Sequence, residues 1–236
     1  MGSPDEAEEL VREGEEALEE GEYEDALDAF ERALKEDPDH WGASLDRCEA
    51  LHLLWRSDEA ITAVQALQPP PDEEDDADRA DLEARILEAA GEFTAADVLF
   101  EEASRLDPEN FPPPVRTTHD DFRTILDDVL RSLPKKIRDV VAKVPVTVEP
   151  KPTAEMADQA PHISPEILGL FVGTSIGDKV GAPSGFPDVV LLFQRNLERA
   201  GKNRAEVSKE IRITLLHEYG HYLGFEEEDM EGLGLA

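Results

Sequence analysis

Three stretches of the N-terminal half repeat one another at spacings of 34 and then 36 residues, and this period constrains the fold more than any other feature of the chain. In the first, GEYEDALDAFERALKEDP, the residues Gly21, Tyr23, Ala26, Phe30, Ala33 and Pro38 stand at fixed offsets. The third, GEFTAADVLFEEASRLDP, repeats them 70 residues on as Gly91, Phe93, Ala96, Phe100, Ala103 and Pro108. The middle copy is degenerate. It keeps Ala60, Val64 and Leu67, carries Trp55 and Ser57 where the glycine and the aromatic would stand, and takes up its two extra residues in QPPPDEEDD. Small alanines let two antiparallel helices approach closely, and the aromatic fills the gap between one helix pair and the next. Each pair alone leaves an apolar face open, so about three must stack to be stable. Three are present.

This half resembles the tetratricopeptide repeat family. The resemblance implies an all-α solenoid whose concave face holds a peptide or protein partner. The repeats are expected at about 7–40, 41–76 and 77–110, within a domain spanning 1–110. DPENFPPPVRTTHDDF follows, and its three prolines cannot continue a helix, so a Pro-rich linker is expected at 111–117 and a second domain at 118–236.

Charge is distributed unevenly. Residues 1–110 hold 8 Lys and Arg against 36 Asp and Glu, which places −28 of the formal −33 in the repeat half. Such a surface repels phosphate backbones and anionic lipid, which argues against nucleic-acid and membrane partners. It suits a basic peptide partner, or equally a strongly solvated surface. The sequence has no run of eighteen apolar residues and opens on no charged-then-apolar leader, so a cytoplasmic protein is expected. Cys48, the one cysteine, has no partner for a disulfide or a cysteine zinc site and reads as a small core residue.

The C-terminal half has a different pattern. A helix is expected from THDDF, capped near Thr118 or His119, with Phe122, Ile125, Leu126, Val129 and Leu130 on one face. VTVEP reads as a strand, and GLFVGTSIGDKVGAPSGFPD as a Gly- and Pro-rich loop. VVLLFQRN reads as a second strand, whose edge, if free, would take a substrate antiparallel. RAEVSKEIRITLLHEYGHYLG then reads as one long helix ending at Gly224. The fold class is therefore two domains, the solenoid and a small α+β domain.

On that helix His217 and His221 are four residues apart, so both imidazoles project from one face at about the spacing a tetrahedral ion needs. Glu218 lies on the adjoining flank, roughly 100° round the helix, where it can act as a base without being a ligand. Leu215, Leu216, Tyr219, Tyr222 and Leu223 occupy the apolar side. Only fifteen residues follow His221, so a third ligand must be near. Gly224 can turn the chain back, as in HExxHxxGxxH sites, and the residue three positions later is Glu227, with Glu228 and Asp229 as rivals. A carboxylate there completes a histidine, histidine, carboxylate set. Met230 reads as a core contact of the tail, and His162 as a loop histidine outside the site.

From HDDFRTILDDVLRSLPKKI to the C-terminus the chain resembles the small bacterial zincin-like metallopeptidases, sometimes called minimal zincins. The likeness runs through ISPEILGLFVG, PDVVLLFQRNLER, IRITLLHEYGHYLGF and the acidic tail closing on GLG. That family usually carries an acidic residue, often aspartate, after HExxHxxGxx, and Glu227 stands there as a longer equivalent. The resemblance implies a zinc hydrolase of peptide bonds with His217, His221 and Glu227 on Zn2+ and Glu218 as general base toward a zinc-activated water. Members usually lack the repeats, which here would recruit or position a protein partner. Two other readings compete, a metal-holding scaffold without turnover and an interaction protein without metal.

Overall fold

The computed structural model describes residues 4–133, 135–157, 163–174 and 188–225. The chain divides into two compact units, Met1–Pro113 with Thr153–Pro165, and Pro114–Pro152 with Glu166–Ala236.

Six helices build most of the first unit: α1 (Pro4–Glu20), α2 (Tyr23–Glu36), α3 (Trp41–Leu53), α4 (Ser57–Gln65), α5 (Glu73–Ala89) and α6 (Phe93–Leu106). Each packs against the next in sequence, as three antiparallel pairs require. The repeated small and aromatic positions are the ones buried. Ala26, Phe30, Ala33, Ala60, Val64, Ala96, Phe100 and Ala103 are all at most 4% exposed. Tight turns separate the helices of each pair. Gly21 and Gly91 take φ of +78° and +85°, and Trp55 takes +61° at the matching place in the middle copy. A side chain in that region costs about 1–2 kcal/mol that glycine avoids. Cys48 is buried, its thiol donates to the Ser44 carbonyl at 3.1 Å, and burial pushes its pKa up to about 11, so it stays a protonated core thiol.

The second unit opens with α7 (His119–Ser132), capped by the Thr118 hydroxyl, which accepts from the Asp121 N–H. Phe122, Ile125, Leu126 and Val129 are its buried residues. Then come α8 (Lys135–Val141), β1 (Val146–Glu149), α9 (Ala154–Ala157, counted with the first unit), β2 (Gly169–Val172), β3 (Val189–Phe193), α10 (Gln194–Ala200) and α11 (Arg204–Leu223). The sheet order is β1-β3-β2, with β1 parallel and β2 antiparallel to β3. The central strand is the most apolar, and Val190, Leu192 and Phe193 are fully buried. Two expectations change here. The strand expected over VVLLFQRN ends at Phe193, and Gln194 opens a helix. The stretch read as loop contains β2, and β1 and β2, not β3, lie at the edges of the sheet.

Polar groups on α10 tie the unit together. Buried Glu198 accepts from the Thr117 N–H at 3.0 Å, the Thr117 hydroxyl at 2.7 Å and the Gln194 amide at 2.8 Å. Buried Asn196 accepts from the Lys151 ammonium at 2.5 Å and donates to the Ile167 carbonyl at 2.6 Å. The second bond fixes the chain just before β2. A buried polar group without such partners would cost roughly 1–3 kcal/mol.

In the first unit, Asp46 of α3 faces Glu49 of its own helix, Glu15 of α1 and Asp78 of α5. Burial, then these three carboxylates, raise its pKa to about 7. The folded state therefore keeps a proton that the unfolded chain gives up above its ordinary value near 3.8. Unfolding releases that proton, so the contribution of Asp46 to stability rises as pH falls through 7 toward 4 and is flat outside that window. Asp46→Asn should raise the thermal midpoint at pH 8 and leave it nearly unchanged at pH 4. Thermal denaturation across pH checks both.

Candidate metal centre

Helix α11 is started and stopped by identifiable devices. The Asn203 side chain accepts from the Ala205 and Glu206 N–H groups at its N-terminus. At the other end Gly224 takes φ +86°, and the Phe225 N–H donates to the Gly220 carbonyl at 3.0 Å. Between them Val207, Ile211, Leu215, Tyr219 and Tyr222 are buried. Leu216 and Leu223, expected on the same side, are half-buried. The Tyr219 hydroxyl donates to the Val144 carbonyl at 3.0 Å, and burial raises its pKa. Tyr222 meets the Phe171 ring edge-on with centroids 5.7 Å apart. These contacts fix the rotation of the helix.

With the helix so held, the His217 and His221 rings stand edge to face at 4.7 Å between centroids, and their Nε2 atoms are 3.0 Å apart. Two nitrogens at about 2.0–2.1 Å from one tetrahedral zinc would be roughly 3.3 Å apart. The pair fits that ion with an adjustment of a few tenths of an ångström. Both rings remain partly exposed.

Glu218 is 6% exposed, and its Oε2 accepts from the Phe171 backbone N–H at 2.6 Å. The ladder explains why that N–H is available. The Phe193 N–H donates to the Leu168 carbonyl, so ladder bonds belong to residues 168, 170 and 172, and Gly169 and Phe171 direct theirs away from β3. Close approach of α11 to this edge requires Gly169. A Cβ there would lie 2.5 Å from Thr214 Cγ2, 3.2 Å from Glu218 Cγ and 3.2 Å from the Leu191 carbonyl oxygen. The Phe171 N–H is the functional group that sequence reasoning missed. Its only signal was the apolar run ILGLFV, hidden by the glycines and prolines that follow.

Glu227, Glu228, Asp229, Met230 and His162 lie outside the described residues. Among the described residues no group of three or more His, Cys, Asp or Glu side chains is placed to hold a metal. The structure thus brings together His217, His221 and Glu218, with the Phe171 N–H as the unforeseen fourth partner. No helix among the described residues is long and apolar enough to cross a membrane.

Residues 141–235 match the zincin-like metallopeptidase family. Residues 11–76 match the tetratricopeptide repeat. The architecture read from the sequence, repeats followed by a zincin-like segment, is the one these two matches describe. Among solved structures, the first TPR of Spaghetti (RPAP3) bound to the HSP90 peptide SRMEEVD aligns with 56% of this chain and 98% of its own. Its identity is 19% and its TM-score 0.41. No curated protein matches the chain.

Gly169→Ala should push α11 away from β2, because the Leu191 carbonyl and the β-branched Thr214 leave the new methyl no room. The expected loss is about 1–3 kcal/mol, the usual cost of overpacking. Urea unfolding reads the loss, and faster exchange of the Phe171 amide reads the weakened bond to Glu218.

Proposed function

We propose that this protein is a zinc-dependent metallopeptidase whose repeat domain recruits or positions a protein partner. The observation that carries the proposal is the pair of Nε2 atoms 3.0 Å apart on a helix whose intervening glutamate is fixed to a sheet edge. In this reading His217, His221 and Glu227 hold Zn2+, which supplies Lewis acidity at a scissile carbonyl and lowers the pKa of water toward about 7. The repeats would occupy 1–110 and the peptidase 118–236, joined by 111–117.

Each residue then has a defined task. The histidines must be neutral to offer their Nε2 lone pairs. Glu218 needs a carboxylate held toward the attacking water, and the Phe171 N–H fixes one of its oxygens. After attack the same carboxyl group can return the water's proton to the leaving amine. A peptide substrate lies along β2, since β3 is paired on both sides. The Phe171 N–H is taken by Glu218, so main-chain pairing with substrate falls to the remaining outward groups of Gly169 and Phe171 and confers affinity with little side-chain preference.

Purified protein should carry zinc near one equivalent by elemental analysis, and His217→Ala should lose it. Glu218→Gln should keep the metal while kcat/KM on a peptide library falls by roughly 10²–10⁴, the contribution of a positioned general base. Equal turnover by Glu218→Gln and the parent would overturn the mechanism, and zinc without turnover in the parent would favour the scaffold reading. For the third ligand, Glu227→Gln should weaken zinc retention during dialysis against a chelator, with Glu228→Gln and Asp229→Asn retaining the parental affinity. Loss in either of those variants instead would reassign the ligand.

A further inference from the structure

The second unit carries a basic stretch in an otherwise acidic chain. From Arg131 to Lys143 there are five Lys and Arg against one Asp, although the whole sequence has a formal charge of −33. This stretch forms the end of α7, all of α8 and the residues just after it, within one compact unit. It borders a groove of about 480 Å³ lined by Asp127, Leu130 and Arg131 of α7, Arg138 of α8, and Ala142. That volume is within the range of ligand clefts.

Part of the lining is apolar. Helix α7 buries Phe122, Ile125, Leu126 and Val129, and leaves Leu130 half-buried at the margin of the same core, while Ala142 is exposed. Two guanidiniums complete it. Arg131 is held by its own helix, donating from Nε to the Asp127 carbonyl at 3.0 Å and from Nη2 to the Asp128 carboxylate at 2.9 Å. Arg138 differs. Its Nη1 donates to the Arg131 backbone carbonyl at 2.8 Å, a neutral acceptor, and among the described residues no carboxylate pairs with it. The acid next to it in sequence, Asp139, is taken by Lys135 at 2.7 Å. A guanidinium has five N–H donors in a planar fork that matches a carboxylate, and here one of them is used.

We propose that the α7–α8 groove docks an acidic peptide segment of a partner protein. An apolar side chain of the segment lies on Leu130 and Ala142, and a neighbouring carboxylate pairs with Arg138. Charge selects this occupant over others of the same sign. Nucleic acid or an anionic bilayer brings an extended array of negative charge against a chain of −33, whereas a short segment brings few charges. At physiological salt the chain's own carboxylates beyond about 8 Å are largely screened from such a segment. Asp127 also lines the groove and repels a second carboxylate, so recognition rests on Arg138 with Arg131 in support. The surface belongs to the unit that carries the metal centre, and it adds a docking site to whatever the repeats recruit.

Calorimetric titration of the full-length protein with the capped peptide Glu-Asp-Leu-Leu-Glu-Asp tests this. Saturable binding is expected at low salt, weakening as salt is added, and the same peptide with Gln and Asn in place of its acids should not bind. Arg138→Gln should weaken binding by about tenfold, as loss of a charge-assisted hydrogen bond does. Because Arg138 also bonds the end of α7, Ala142→Glu is the second variant. Its site is exposed, so the thermal midpoint should match the parent while the added carboxylate abolishes binding. Lys202→Gln, which removes an exposed charge of the same unit outside the groove, should bind as the parent does. No binding by the parent, equal binding of the neutral peptide, or parental affinity in Arg138→Gln and Ala142→Glu would overturn the proposal. So would displacement of the peptide by inorganic phosphate, which would make the groove a simple anion site, or self-association of the parent that Ala142→Glu abolishes, which would assign it to a second copy. Neither zinc nor turnover enters the readout, so it fails or stands separately from the peptidase assignment.

Discussion

The second unit is organised around one close approach, that of α11 to β2 over Gly169. Because no side chain separates them there, the Glu218 carboxylate reaches the Phe171 N–H, and the same helix carries His217 and His221 on its open flank. The rest of the unit serves that approach. Apolar residues of α7 and β3 support the back of α11, Tyr219 fixes its rotation through the Val144 carbonyl, and Asn196 holds the chain ahead of β2. Rotating α11 by one residue would turn the histidines away by about 100° and bury a charge without its partner.

Much of this was legible in the sequence, for reasons that differ between the halves. The repeats declared themselves because each copy faces the same packing problem, and the solution in Ala26, Phe30 and Ala33 is reused in Ala96, Phe100 and Ala103. Helix α11 was legible from its apolar side and from Gly224, whose left-handed backbone ends it as expected. The strands were harder. Four-residue β2 has no room to show an alternation, and both its neighbours are ladder or helix partners distant in sequence. The assignment of β3 as a possible edge failed because strand order is decided by non-local pairing, and a nearly continuous apolar run signals a central strand.

Trp55 shows another kind of limit. As a departure from the repeat it was visible at once, yet the departure looked like decay. Only the φ of +61° and the bond to Ile163 show that the altered residue carries a contact its sister copies lack. The acidic composition of the first half likewise had two readings, and the structure adds that carboxylates from α1, α3 and α5 face one another around Asp46.

The sheet order has a consequence for how the chain is made. Neighbouring helices of the repeat unit contact each other over short loops, so that array can close once residue 106 has been synthesised. The sheet cannot: its central strand is supplied by residues 189–193, so β1 and β2 wait unpaired until that strand arrives. Exposed strand edges invite wrong pairings during such a delay.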